Sequence, residues 1–190
     1  QTPAGMICFP FTFSICDIIN DVYGRRAANI AIRTGVIGLI FYFSTLFLVS
    51  NITPSDVWHL QKEWNSIFSL SLRIFAGTIV GFYIGEKANS IILSILKYLF
   101  RQQTELKRYL TSTLAGVTLD TIIFNLVAFL YVFSFKELAY ITLTQLILKY
   151  IFEIAGSFIA SRISPIIKKR ENLDEVENFP WLDFIRKKIK

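Results

Sequence analysis

The feature that most constrains this chain is a succession of apolar runs too long for the core of an ordinary soluble domain. Residues 27–49, AANIAIRTGVIGLIFYFSTLFLV, are 23 in number; as a helix they reach about 34 Å, enough to cross a hydrocarbon core of about 30 Å. Residues 109–131 and 138–163 read the same way, and residues 67–98 form a still longer run of about 48 Å, which has to tilt, project or break near Gly81 or Gly85. An earlier run, from Met6 to Ile19 and on through Asn20 and Asp21 to Tyr23, reads as a span with a polar half. The composition agrees: 53% of the residues are hydrophobic and only 18% charged, against about 25% charged in soluble domains. The expected fold is an all-α integral membrane protein, a polytopic bundle with five spans in this chain.

The basic residues mark the junctions between these runs. Arg25 and Arg26 follow the first span, Lys97, Arg101, Lys107 and Arg108 surround the third connection, and Lys168, Lys169 and Arg170 follow the last. The connections 50–66 and 132–137 hold one lysine each, Lys62 and Lys136. By the excess of Lys and Arg in cytoplasmic loops, the three basic junctions and the C-terminus are expected inside. Five spans ending inside place the residues before Met6 outside, so a further helix is expected upstream of Gln1, giving six. On this reading residues 1–165 are a transmembrane transporter domain, and residues 166–190 a basic, amphipathic cytoplasmic tail that is either solvated or rests on an anionic leaflet.

Several classes of function are thereby disfavoured. The net charge of +6 is spread between apolar runs rather than gathered on one face, so a nucleic-acid partner is not expected. Cys8 and Cys16 lie about 12 Å apart on a helix, beyond disulfide reach. The lone histidine, His59, and the lack of any CxxC or HExxH leave no recognisable metal site, and no cofactor is expected. An intramembrane serine protease would need a base near its nucleophile, and His59 falls in an outer connection.

Ionisable groups inside the spans are the functional candidates, because a carboxylate at mid-span costs at least about 2.5 kcal/mol and needs a partner, water or a task. Asp17 and Asp120 occur in the related contexts TFSICDII and AGVTLDTIIF. Counting the expected upstream helix, each lies on the second helix of a triplet, which allows a 3+3 inverted repeat with substrate held at mid-membrane between the halves. Pairing with a buried Lys or Arg, as packing glue, is the alternative use of each acid. Gln145, Lys149, Glu153, Ser157 and Ser161 recur every four residues along the last span, a face that lipid would not accept; Lys149 and Glu153 stand at i, i+4 and can pair with each other. Gly77, Gly81 and Gly85 form GxxxGxxxG, read as close helix packing, and Asn89 extends that ridge beside Glu86. Arg33 and Arg73 are read as snorkelling groups, Trp58 and Trp64 as interfacial anchors.

The segment FPFTFSICDIINDVYGRRAANIAI, through Phe9, Pro10, Asp17, Asp21, Tyr23 and Gly24, resembles the early signature of the vitamin-uptake-transporter-like family of queuosine precursor transporters. TSTLAGVTLDTIIFNLVAF resembles a second signature at Ser112, Thr113, Asp120, Thr121, Phe124, Ala128 and Phe129, and Lys149 is a third match. The resemblance spans about residues 5–165; it departs at Gly85, Glu86 and Asn89, where many members show Ser-Gln and then Asp. It implies a bacterial inner-membrane importer of 7-deazaguanine bases, such as the 7-cyano or 7-aminomethyl base or queuine, used to salvage a tRNA modification. The corresponding site is Asp17 and Asp120 on the hydrogen-bonding edge of the base, with Lys149, Glu153 and Asn89 completing the polar set. Phe13, four residues before Asp17, and Phe124, four after Asp120, are placed to stack on a flat ring. The partners expected are the base and the bilayer, with a homodimer left open. A substrate-binding membrane subunit served by a separate ATPase is the alternative, since no GxxxxGK[ST] occurs in this chain.

Overall fold

The computed structural model describes residues 9–69 and 71–189, and every regular element in them is a helix. Met6 and Cys8, at the start of the first expected span, lie outside the described residues. The elements are α1 (Phe9–Ser50), α2 (Gln61–Ser69), α3 (Ser71–Leu99), α4 (Glu105–Phe129), α5 (Phe135–Glu171), a 3₁₀ turn (Pro180–Leu182) and α6 (Asp183–Ile189). Four of these, α1, α3, α4 and α5, are long and apolar enough to cross a membrane. The chain is an all-α polytopic membrane protein.

The first two expected spans are not separated by a loop. They are two arms of α1, residues 9–23 and 25–50, broken at Gly24, whose φ of 81° and ψ of 169° are non-helical. A positive φ of this size suits a residue without a Cβ, and a Cβ here would also meet Glu175 Cγ at 2.7 Å. The break folds the arms against each other, so that Cys16 on the first packs with Ala28 and Ile32 on the second, and Phe82 of α3 covers the cluster. Beyond this contact the second arm turns Ile37, Ile40, Phe41, Phe47 and Leu48 outward, where lipid is the matching solvent.

The long run expected over 67–98 does not break at Gly81 or Gly85: α3 is one continuous helix, preceded by the short α2, which takes up the end of the connection 50–66 and the first residues of that run. α3 and α4 form the most extensive helix pair. Their approach is set by the glycine ridge, because a Cβ at Gly77 would meet Phe124 O at 3.0 Å, one at Gly81 would meet Asp120 O at 2.9 Å, and one at Gly85 would meet Asp120 Cβ at 2.6 Å. Small residues that admit a neighbouring backbone are the usual glue of membrane helices, so the packing reading of GxxxGxxxG holds. Arg73 does not merely snorkel: it donates to Leu130 O at the C-terminal end of α4, at 2.6 Å. Trp64 donates to Ser50 Oγ at 2.9 Å, fastening α2 to the end of α1.

α5 begins at a capping box in which Ser134 and Glu137 bond reciprocally, satisfying donors that the first helical turn leaves open. It ends with Asn172 in the left-handed conformation at φ 53°. Its 37 residues span about 55 Å, far more than a hydrocarbon core, so one end stands clear of the bilayer. The chain then returns along that end: Glu175 N donates to Val22 O at 3.1 Å, and Phe179 and Leu182 pack with Tyr98 of α3.

Candidate functional site

At mid-bundle the first arm of α1, α3, α4 and α5 bring polar side chains together. Asp17, 1% exposed, accepts from Asn89 Nδ2 through Oδ1 at 2.7 Å and from Thr113 Oγ1 through Oδ2 at 2.8 Å. One carboxylate thus links α1, α3 and α4. One turn along α1, Asn20 donates to Ser90 O at 2.8 Å and accepts from Ser94 Oγ at 3.2 Å.

Asp120 packs against Gly81 and Gly85, on the same α3 ridge as Asn89, and is paired with Lys149, whose Nζ is 2.6 Å from Oδ2. The contact ion pair of Lys149 is therefore across the helix contact on α4, while Glu153, at the i, i+4 position, feels the same charge. The orientation has a geometric cause: α4 seats its Asp120 backbone against Gly81 and Gly85, which holds the carboxylate at the centre of the bundle. Asn125 and Gln145 repeat the α4–α5 cross-link one turn farther out, at 2.9 Å.

Glu86 and Glu153 complete the set, each 1% exposed. Neither carboxylate has a hydrogen-bond partner of ordinary geometry among the described residues, although the Cys16 thiol lies beside Glu86. The two face Asp17 and Asp120 closely enough for their charges to interact, and Glu153 also faces Lys149. Four carboxylates thus share this region with one ammonium group, that of Lys149, which pairs with Asp120. Fully ionised they would leave three negative charges uncompensated in a medium that does not solvate them.

The structure brings Asp17, Asn89, Asp120, Lys149 and Glu153 into this one buried group. The two rings are placed differently. Phe13 is fully buried over Gly116, where its Cε1 would be 3.1 Å from an added Cβ, within reach of the Asp17–Asn89 pair. Phe124 packs on Gly77 and Gly81 and meets Phe129 edge-on at 5.8 Å. Along α5, Gln145, Lys149, Glu153 and Ser157 are buried, but the next buried positions are Ala160 and Ser164 rather than Ser161. Steps of four residues overshoot 3.6 per turn by about 40° each, so the inward face drifts off the stripe. Thr113 and Glu86 belong to the group as well; the first is in the quoted signature, and the second lies three residues before Asn89 on α3.

A second network closes one end of the bundle. Asp21, fully buried, receives Lys168 Nζ at 2.6 Å, Tyr109 OH at 2.9 Å and Ser164 Oγ at 2.8 Å. Lys97 and Arg108 stand at 3.4 and 3.7 Å, and Lys97 also donates to the Asp21 carbonyl oxygen. Three of the basic residues that mark the junctions in the sequence, Lys97, Arg108 and Lys168, are thus turned inward onto one carboxylate. Asp174 adds contacts to Lys97 at 2.7 Å and Lys168 at 3.1 Å, and Arg25 binds Glu177 at 2.6 Å. Partial burial opposes ionisation of Asp174, but the hydrogen bonds and charges of Lys97 and Lys168 outweigh it and hold the carboxyl below its ordinary range.

Membrane-length helices closed around mid-bundle acids, amides and a lysine, with ion pairs sealing one end, define the architecture of a polytopic membrane transporter. The chain belongs to the family described as "Putative vitamin uptake transporter", whose model matches residues 3–162. It is a multi-pass membrane transporter, not an enzyme. No curated protein and no solved structure matches the chain.

Proposed function

We propose that this transporter imports 7-deazaguanine precursors of a modified tRNA nucleoside across a bacterial inner membrane, with its basic, tail-covered end in the cytoplasm. The observation that carries the reading is the pair of donor–acceptor couples at mid-bundle, Asn89 with Asp17 and Lys149 with Asp120, at 2.7 and 2.6 Å. A guanine-like edge presents N–H donors beside a carbonyl acceptor, so it can replace such a couple bond for bond: its N–H groups meet a carboxylate, and its oxygen meets Lys149 or Asn89. Glu153 suits a donor or a cationic substituent on the same ring, Phe13 offers one wall, and Phe124 supports the site from the α3–α4 contact. The chain enters Asp17 moving toward the basic end and Asp120 moving away from it, the antiparallel relation that inverted halves require. The cytoplasmic placement follows from the basic residues gathered at that end.

The test is a bacterial strain that neither makes nor imports these bases, expressing the protein and fed each base at low concentration, with the modified nucleoside in tRNA as the readout. Modification returns with the wild type and is lost with Asp17→Ala or Asp120→Ala at matched membrane levels. Wild-type-like uptake in both variants sinks the site; no return with any base, when expression and downstream incorporation are verified, sinks the substrate.

A further inference from the structure

We propose that Glu86 is a proton-binding site that couples import to the transmembrane proton gradient. The inference rests on the transport reading and adds a second cargo to it. Glu86 lies one residue from the midpoint of α3 and is 1% exposed, yet neither of its oxygens has a hydrogen-bond partner of ordinary geometry among the described residues. The ionisable groups that face it are acids and a thiol. From α1 it faces Asp17 and the Cys16 thiol, from α4 Asp120, and from α5 Glu153. Lys149, the ammonium group of this region, is engaged by Asp120 at 2.6 Å. Lys87, the next residue on α3, turns away to Asn29 at 2.7 Å, and α2 and α6 meet α3 only toward its two ends.

An ionised carboxylate so placed is costly, and the cost falls when a cation arrives. A crevice of about 180 Å³ leads to it between the two arms of α1 and α3, walled by Ile15, Ile19, Ile32 and Phe82, with Glu86 and Cys16 among its lining. A proton needs one carboxylate oxygen. A metal cation needs several ligands at once, and two of the acids that face Glu86 are already engaged, Asp17 by Asn89 and Thr113 and Asp120 by Lys149. In the cycle, a proton from outside bonds to a Glu86 oxygen, giving a neutral carboxylic acid. The bundle changes access with the base in place, the O–H bond breaks toward the inside, and the carboxylate is restored.

The experiment uses the full chain in liposomes with the uncharged 7-cyano-7-deazaguanine as probe, so that any charge moved belongs to the coupling ion. With the inside alkaline, the wild type accumulates the probe toward a limit of about tenfold per pH unit for one proton per base, an internal pH dye reports acid entry, and a protonophore abolishes both. Glu86→Gln equilibrates the probe without concentrating it, while counterflow exchange continues. Accumulation driven by sodium instead, accumulation by Glu86→Gln equal to wild type, or loss of counterflow in a folded Glu86→Gln overturns the proposal. Infrared difference spectroscopy tests the same group without any base: the wild type shows a protonated-acid C=O band that Glu86→Gln lacks, and an identical band in both overturns the proposal. Failure of the wild type to exchange any 7-deazaguanine base, with that Glu86 band present, overturns the substrate reading alone.

Discussion

Lys149 Nζ stands 2.6 Å from Asp120 Oδ2, both residues at most 5% exposed, and this pair is the charge contact between α5 and α4 at mid-bundle. Removing one partner leaves the other buried and alone, so Lys149→Met is expected to cost about 3–5 kcal/mol. Replacing both, Lys149→Met with Asp120→Leu, recovers most of that loss because the unpaired charge is gone. Thermal unfolding in detergent of the two singles and the double gives the coupling. Uptake stays absent in the double, which separates a pair that binds substrate from one that only packs.

Asp17 is held by two neutral donors rather than by a cation, and the consequence differs. Thr113→Val keeps the side chain's shape and removes one hydrogen bond to a carboxylate, worth about 1.5–3 kcal/mol. The helices still pack, so the protein reaches the membrane at normal levels. The expected signature is weakened substrate binding, measured as a raised half-saturation concentration for uptake.

The helical class and the set of mid-span acids were legible in the sequence because each rests on a local signal, an apolar run or a charge inside one. What was not legible depends on contacts between elements. GxxxGxxxG showed that something approaches α3 closely, but not that Asp120 of α4 would be seated there. Spacing offered Glu153 to Lys149, since only neighbours on one helix are visible in a single chain. Lys97, Arg108 and Lys168 read as markers of topology, and no local pattern showed that they turn inward to Asp21. The join at Gly24 escaped for a similar reason: a Tyr-Gly-Arg-Arg stretch fits an ordinary loop, and only the φ of 81° with Glu175 against it makes it a hairpin-like break.

Gly85 tests how far the acid depends on that seat. A methyl group there meets Asp120 Cβ at 2.6 Å and Gly116 O at 2.8 Å, atoms of backbone or next to it that cannot swing away. Gly85→Ala is therefore expected to destabilise by about 1–3 kcal/mol through overpacking, and to lower uptake by moving Asp120 off Lys149. Gly38→Ala, with nothing within 4 Å of the added atom, is the control: it leaves uptake unchanged and does not destabilise, since alanine is the better helix former.

Gly24 is constrained twice, by its backbone and by its neighbour. Holding a residue with a Cβ at its φ costs about 1–3 kcal/mol, and the clash with Glu175 Cγ at 2.7 Å adds to it unless the tail retreats. Gly24→Ala combined with Glu175→Gly relieves the clash but not the strain. The double variant is expected to recover part of the stability lost by the single, as read from its melting temperature; full recovery would show that the backbone conformation was never the obstacle.

The tail contact should respond to acid, with a sign fixed by Asp174. Its carboxyl is held below the ordinary range by Lys97 and Lys168 against the effect of burial, so the folded state favours the ionised form more than the unfolded chain does. That contribution is fully present above the ordinary carboxylate range and disappears as pH falls through the lowered value. Proteolysis after Lys169 or Arg170, exposed side chains in the last turn of α5, reports the contact, because those bonds resist cleavage while helical and yield when that turn unwinds as residues 172–182 lift off the end of the bundle. Cleavage is expected to be slow and independent of pH near neutrality and to accelerate in acid, using a protease active there. Asp174→Asn is expected to cleave faster at neutral pH and to show a smaller acceleration; a variant with wild-type rates throughout would place the hold on the tail in Phe179 and Leu182 packed against Tyr98 instead.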